Sequence, residues 1–184
     1  MADYTSIEDI IAGVSNATQL RTNTKQDDGT DTVTGVGWFS YGGTVCNNIY
    51  ANGNGWIGFG SSNEHLKVNR RDQAMYNLWR EEGTFRFNSY RFLRIRWNGY
   101  TAYSSTSDSA ELTFDVLLFD TGDIMLYISD VPTDNYSGTF ALGNLTYEKP
   151  TADNRYVTFY KQTDGSYVAD YAPIDLPVKK YLVR

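Results

Sequence analysis

The chain contains little cysteine, little proline and no excess of basic residues. Cys46 is the single cysteine among 184 residues, so no intramolecular disulfide can form. The formal net charge is −6, and a negative surface repels phosphate backbones, so we expect no nucleic-acid partner. No apolar run approaches the roughly 20 residues of a membrane-spanning helix, so we expect no membrane span.

The chain also lacks the marks of secretion and of metal chemistry. Its first residues, MADYTSIEDII, have neither the basic region nor the long apolar region of a signal peptide. We therefore expect synthesis in the cytoplasm, with any role outside the cell reached as part of an assembly or after lysis.

His65 is the only histidine, and one histidine with one cysteine does not make a zinc site. We expect no cofactor and no metal site.

Strand-forming residues are abundant instead. Aromatic residues make up 15% of the chain, with tyrosine the most frequent, and they favour strands. In residues 111–128, ELTFDVLLFDTGDIMLYI, apolar residues recur at alternate positions on both sides of the turn-forming Asp120–Asp123. This period of two predicts a β-hairpin. Two registers fit the pattern, with Leu126 opposite Leu118 in one and opposite Leu117 in the other.

Turn signals separate about nine or ten such short segments. They predict an all-β fold, an antiparallel and jelly-roll-like β-sandwich formed as a single domain by residues 21–184. Residues 69–82, NRRDQAMYNLWREE, carry apolar residues at helical spacing, which indicates either one short inserted helix or an extended segment over a sheet face. In residues 92–97, Leu93, Ile95 and Trp97 share one strand face, and the two arginines between them share the other.

The first 20 residues predict a separate docking arm. Ile7, Ile10, Ile11 and Val14 stand at the spacing of an amphipathic helix, and a capping-box pattern precedes them. We predict a short helix over residues 6–15. Its apolar stripe would form a docking or oligomer contact, or it would pack on the end of the sandwich.

Three motifs suggest enzymes or bound ions but have simpler explanations. Asp120-Thr121-Gly122 matches the aspartic-protease loop, which needs two carboxylates that share one proton, whereas a hairpin turn explains the same residues. Gly53–Gly58 fits a dinucleotide-binding spacing, but strand-like residues follow where a helix should begin. Asp27–Asp31 offers oxygens to calcium but lacks the ligand spacing of an EF-hand, so a solvated acidic loop is the simpler interpretation. We expect no enzymatic activity.

Aromatic residues near predicted turns are the better candidates for function. Asn98-Gly99 is a strong hairpin signal, which would place the segment Trp97–Tyr103 at a loop tip. Tryptophan and tyrosine offer a large contact area with a polar handle, which suits the recognition of carbohydrate or protein. The alternative is ordinary aromatic packing at the rim of a sandwich. The predicted ligand-binding residues are Trp97, Asn98, Tyr100, Tyr103, Tyr76 and Trp79.

Two segments resemble known extracellular β-sandwich modules. Ile49–Gly60, IYANGNGWIGFG, resembles a strand–turn–strand pattern of nidogen-like and bacterial adhesion domains. Leu112–Tyr127, LTFDVLLFDTGDIMLY, is similar to their later hairpin. A small β protein without disulfides is also similar in style to phage tail, baseplate and fibre proteins.

These resemblances imply a non-enzymatic structural or adhesion protein. Its partners would be other structural proteins of an assembly such as a virion, together with a cell-surface glycan or protein. We expect a homo-oligomer, because closed symmetry covers edge strands and adds avidity. The alternative is a stand-alone carbohydrate-binding module or lectin-like domain.

Overall fold

The computed structural model describes residues 7–9, 11–85, 90–100, 111–130 and 138–176. Within these ranges the chain forms one short 3-10 helix, Ile7–Asp9, and fifteen strands, three of them only two residues long. The strands are β1 Ile11–Arg21, β2 Thr30–Thr34, β3 Ser40–Tyr41, β4 Thr44–Val45, β5 Asn48–Asn52, β6 Trp56–Phe59, β7 Leu66–Arg70, β8 Ala74–Phe85, β9 Arg91–Tyr100, β10 Glu111–Phe119, β11 Ile124–Asp130, β12 Thr139–Leu142, β13 Leu145–Thr146, β14 Tyr156–Lys161 and β15 Tyr167–Asp170.

Two antiparallel sheets pack together. The large sheet has seven strands in the order β1-β8-β9-β10-β11-β14-β15, and the small sheet has six in the order β13-β12-β7-β6-β5-β2. The short strands β3 and β4 pair with each other. This arrangement confirms the predicted β-sandwich, but with fifteen described strands instead of the nine or ten predicted, because several short strands lie between the turns. In the described ranges, no helix has the length and apolar character needed to cross a membrane.

The main core lies between the two sheets. On the large sheet, the Trp97 and Phe114 rings stack with centroids 5.0 Å apart and planes inclined by 15°. Ile49 and Ile57 contribute from the small sheet, and all four side chains are fully buried. Burial of one such side chain stabilises the fold by about 1.5–3 kcal/mol, so the sandwich has a large source of stability other than disulfides.

The β10–β11 hairpin forms in a register that differs from both predicted ones. Leu126 pairs with Val116, and Leu118 pairs with Ile124. Asp120, Thr121 and Gly122 form the loop, in which the Gly122 amide donates to the Phe119 carbonyl at 2.9 Å and Gly122 has a φ of 90°. The partner of Leu126 therefore lies two residues earlier in β10 than in the first register. Because a shift of two keeps the alternation of the strand, the same side chains still face the core.

The outer face of the large sheet carries a second, smaller core. Leu117 and Met125 point away from the main core and are fully buried. Ile7 covers this cluster from the N-terminal side, and Ile174 and Leu176 cover it from the C-terminal side. Segments near both ends of the described chain therefore lie on the outer face.

The N-terminal helix predicted over residues 6–15 is wrong. A 3-10 helix covers only Ile7–Asp9, and β1 begins at Ile11 and pairs with β8 along the edge of the large sheet. An isolated helix of ten residues is marginal, whereas the open edge of β8 offers a row of hydrogen-bonding partners to a β-branched segment. Ile7 is 2% exposed and belongs to the outer-face core, so its side chain is not available for docking. Ile10 lies outside the described residues, as do the side chains of Ile11 and Val14.

The inserted helix is also absent, and the extended alternative for residues 69–82 is the correct one. Ala74–Phe85 forms β8, the longest strand described, and it pairs with both β1 and β9. Met75 and Leu78 are fully buried although they lie three residues apart. A bulge between Met75 and Asn77 brings both onto the core side, because it inserts one extra residue into the strand.

A buried charge network holds the outer face between β8, β9 and β10. Asp115 is fully buried, and its Oδ1 accepts hydrogen bonds from Nε of Arg94 at 2.7 Å and from Nε of Arg96 at 3.0 Å. Nη1 of Arg94 also donates to Glu8 at 2.9 Å and to Glu81 at 3.1 Å. Burial lowers the pKa of Arg94, but the three carboxylates outweigh burial and raise it above its ordinary value. The arginine therefore stays charged and balances the buried Asp115.

Replacing Asp115 with alanine should strongly destabilise the fold, because the buried Arg94 would lose its closest counter-charge. We expect the free energy of unfolding in urea to fall by about 3–5 kcal/mol. Asp170→Ala, which removes the same charge from an exposed position on β15, should change it by less than about 0.5 kcal/mol. Equal losses in the two variants would contradict the assigned role of Asp115.

Candidate functional site

The predicted loop tip around Asn98 is part of a strand. β9 runs without a break from Arg91 to Tyr100, and Asn98 pairs with Asn77 on one side and with Thr113 on the other. Gly99 serves close packing here, because a Cβ atom at this position would collide with the Ala74 carbonyl. The hairpin prediction at Asn98-Gly99 is therefore wrong.

Trp97 is not at the surface. Its ring is fully buried, and its indole N–H donates to the Asn52 carbonyl at 3.0 Å. This corrects its prediction as a ligand-binding residue, because a side chain with no exposed area cannot touch a ligand in this structure. Tyr103 and the side chain of Tyr100 lie outside the described residues, and their ligand-binding role stays a prediction.

The structure brings Asn98 and Trp79 together on the outer face of the large sheet. Trp79 on β8 pairs with Arg96 on β9, two positions from Asn98, and paired residues share a face. Tyr76 is half-buried within the β8 bulge. We define the outer-face patch as the neighbouring side chains on this face of β1, β8, β9 and β10, namely Gln19, Asn77, Trp79, Arg96, Asn98 and Glu111.

Hydrogen bonds fix the polar part of this patch across four strands. The Asn77 side-chain amide donates to the Asn98 side-chain carbonyl at 3.1 Å. The Asn98 amide donates in turn to Glu111 at 2.8 Å and to the Thr113 hydroxyl at 2.7 Å, while Gln19 donates to Asn77 at 3.4 Å. The side chains therefore hold a defined arrangement before any ligand arrives.

Charge on the patch is mixed. The Arg96 side chain is 38% exposed and is anchored at one end by Asp115, while Glu111 is exposed at the start of β10. The half-buried indole of Trp79 lies beside Arg96 in the pairing. The patch thus presents a cation, a carboxylate, amides and one aromatic ring on a rigid sheet. Arg96 was not among the predicted site residues, although the alternation of residues 92–97 placed it on the face opposite Leu93 and Ile95.

Several residues in or beside the motifs that suggested enzymes stabilise turns or allow close packing. Asp123 accepts from the Thr121 hydroxyl at 2.5 Å and from the backbone N–H of Lys161 at 2.8 Å, so this carboxylate stabilises the hairpin turn. Gly53 and Gly55 pack where a Cβ atom would collide with Asp27 and with Gln73. Trp56, inside the dinucleotide-like motif, begins β6 rather than a helix.

Two carboxylates of the acidic loop Asp27–Asp31 accept hydrogen bonds from other side chains of the protein. Asp31 binds Arg21 through two hydrogen bonds of 2.7 and 2.9 Å, and Asp28 accepts from Asn54 at 2.7 Å. Burial raises the pKa of Asp27, and the neighbouring carboxylates raise it further. Across the described residues, no group of three or more histidine, cysteine, aspartate or glutamate side chains could hold a metal ion.

His65 is held as a neutral side chain at the end of the sandwich nearest β3 and β4. Its Nδ1 accepts from the Phe59 backbone N–H at 2.8 Å, and its ring stacks on Phe59 and contacts Tyr41. Burial lowers its pKa. Cys46, also near Tyr41, is 1% exposed, and burial raises the pKa of its thiol. Both residues have packing roles in this arrangement.

Comparison with known proteins finds no matching family model, no similar curated protein and no similar solved structure. The resemblance to nidogen-like, adhesion and phage-tail proteins therefore stays a prediction.

The lowered pKa of His65 predicts a loss of stability in mild acid. Because the folded state binds the proton less readily than the unfolded state, His65 favours unfolding as the pH falls below its unfolded pKa of about 6.5. His65→Asn retains a hydrogen-bond acceptor without titrating in this range. Melting temperatures at pH 7.5 and 5.5 should show a smaller decrease for the variant than for the wild type, and an equal decrease would contradict the assignment.

Proposed function

We propose that this protein is a non-enzymatic structural or adhesion protein, a phage tail, baseplate or fibre component that engages a cell-surface ligand through the outer-face patch. The observation that carries the proposal is the preformed set of half-buried and exposed polar groups beside Trp79 on paired strands. Binding sites gain affinity when the interacting side chains are ordered in advance, because less conformational entropy is lost on association.

The chemistry of the patch suits a glycan or a polar protein surface. Side-chain amides both donate and accept hydrogen bonds, and an indole adds apolar contact area with a polar handle. Arg96 adds a cation that is already oriented by Asp115. Tyr100 belongs to the same proposed site, since its backbone pairs with Glu111 of the patch. Tyr103 follows three residues later.

Assembly into a homo-oligomer is part of this proposal. Among the described strands, β1 and β15 are the outermost strands of the large sheet, and sheet edges can pair with a strand of another chain. On β15, Val168 is 55% exposed, which adds apolar area at one edge. Several copies in one particle would multiply a weak contact into firm attachment.

Removal of the Trp79 ring should abolish most ligand binding without unfolding the sandwich. We expect fluorescently labelled Trp79→Ala to bind intact cells from a panel of bacterial strains at least tenfold more weakly than the wild type, a loss of about 1.4 kcal/mol. Tyr171→Ala is the matched control, because this aromatic residue is 37% exposed beyond the end of β15. Wild-type binding to no strain, or equal binding by both variants, would count against the proposal.

The alternative function, a free carbohydrate-binding module, uses the same patch and differs in assembly. An adhesion component of a particle should self-associate, whereas a stand-alone module should be a monomer. Light-scattering mass on the purified chain separates them: we expect a stable oligomer, and a monomer of 20.8 kDa that still binds glycans would favour the module.

A further inference from the structure

A second candidate site lies at one end of the sandwich, on different strands from the outer-face patch. Three tight turns meet there around a pocket of about 370 Å³, and the turns join β3 to β4, β12 to β13, and β14 to β15. We call it the end pocket. It is lined by Tyr41, Gly42, Leu142, Gly143, Asn144, Leu145, Gly165, Ser166 and Tyr167.

Glycine backbones bring the turns close together. Gly42, Gly143 and Gly165 have φ values of 54°, 56° and 84°, which side chains other than glycine rarely adopt. A Cβ atom on Gly165 would lie 3.6 Å from Gly42, so these two turns are neighbours. A Cβ atom on Gly143 would lie 3.0 Å from the Tyr41 hydroxyl, so the missing side chain leaves space beside that hydroxyl.

One wall of the pocket is a rigid aromatic pair. The rings of Tyr41 and Tyr167 stack with centroids 5.5 Å apart and planes inclined by 17°. Phe59 and His65 support Tyr41 at 5.0 and 4.8 Å, and the Tyr167 hydroxyl donates to the Gly122 carbonyl at 3.1 Å. These contacts order the rings in advance, so a ligand that packs on them loses little further entropy.

The rest of the lining is apolar or neutral and polar. Leu142 and Leu145 provide apolar contact, and Asn144 and Ser166 are exposed on two of the turns. Among the described residues that line the pocket, none carries a charged side chain. The carboxylate of the nearby Asp164 is already hydrogen-bonded. Its Oδ1 accepts from the backbone N–H of Ser166 at 2.9 Å and from the Ser166 hydroxyl at 2.6 Å.

We infer that the end pocket binds a neutral sugar, such as the terminal residue of a glycan. One face of a pyranose ring is apolar and packs on aromatic side chains, while its hydroxyls need amide and hydroxyl partners. The Tyr41–Tyr167 pair supplies the aromatic surface for the apolar face of the sugar. The Asn144 amide and the Tyr41 hydroxyl supply hydrogen-bonding partners for the sugar hydroxyls. The volume lies near the lower end of small-molecule pockets, roughly 300–1,000 Å³, which suits one or two sugar rings. A neutral lining favours uncharged sugars over acidic ones.

This inference does not rest on the proposed cell-surface function. The outer-face patch lies on β1 and β8–β10, whereas the turns of the end pocket join other strands. Trp79→Ala should therefore leave sugar binding in the pocket unchanged. A failure of cell binding and a failure of sugar binding can be told apart with this one variant.

The test is a direct titration with small neutral sugars. The full chain is titrated with the methyl glycosides of glucose, galactose, mannose and N-acetylglucosamine, and binding is followed by saturation-transfer NMR and calorimetry. N-acetylneuraminic acid serves as the acidic probe, and free phenylalanine tests for simple aromatic binding. We expect at least one neutral glycoside to bind in the millimolar range and more tightly than either comparison compound.

Two variants connect the binding to the pocket. Asn144→Ala removes the exposed amide, and Tyr41→Phe removes the hydroxyl but keeps the stacked ring. Each should weaken binding about fivefold, the loss expected for one hydrogen bond. Asn154→Ala, at an exposed position in the loop before β14, should bind as the wild type does, and melting temperatures should confirm that all three variants fold.

The inference is overturned by any of three results. The wild type binds none of the neutral glycosides; or Asn144→Ala and Tyr41→Phe both bind as tightly as the wild type; or the acidic sugar or free phenylalanine binds more tightly than every neutral glycoside.

Discussion

Burial of both faces of β10 is the constraint on which the rest of the structure depends. Eight of its nine residues are buried, and only Glu111 at its start is exposed. Phe114 and Val116 face the small sheet, but Asp115 and Leu117 face away from it. A sandwich of two sheets covers only one of these faces. The chain must therefore supply further cover for the outer face.

Two kinds of cover meet this requirement. Ile7, Ile174 and Leu176 cover the apolar half of the outer face, and the carboxylate of Asp115 is matched by Arg94 in the charged half. The outer-face patch lies beyond the charged half, where the side chains of Gln19 and Glu111 are exposed. Glu8 joins the covering segment to Arg94, so the N-terminal segment reaches the border of the patch. Among the described residues, the groups that cover the outer face therefore meet the outer-face patch at Arg94 and Glu8.

The sequence predicted the architecture well because alternation is a local signal. It placed Leu93, Ile95 and Trp97 on one face and the arginines on the other, as the structure has them. The sequence-based prediction failed where contacts with distant strands decide between a helix or turn and a strand. Ile11–Arg21 has a helix-like beginning but gains more from pairing with β8, and Asn98-Gly99 resembles a turn but lies within β9.

The prediction of site residues was also partly right about which residues lie together and partly wrong about where they lie. Trp79 and Asn98 were selected as aromatic and polar residues near turns, and they are neighbours because two strands pair, not because of those turns. Trp97 was selected for its residue type, although the alternation had placed it on the same strand face as Leu93 and Ile95, and this face is the buried one. The end pocket has no sequence signal at all, since its residues come from three turns that are distant in the chain.

The most direct test of the central claim is hydrogen–deuterium exchange of the protein with and without bound target cells or their surface polysaccharide. A ligand on the outer-face patch should slow amide exchange in β8, β9 and the start of β10, with no change in β5 and β6 of the small sheet. Protection confined to the small sheet, or none in β8–β10 under conditions where the ligand is bound, would contradict the account.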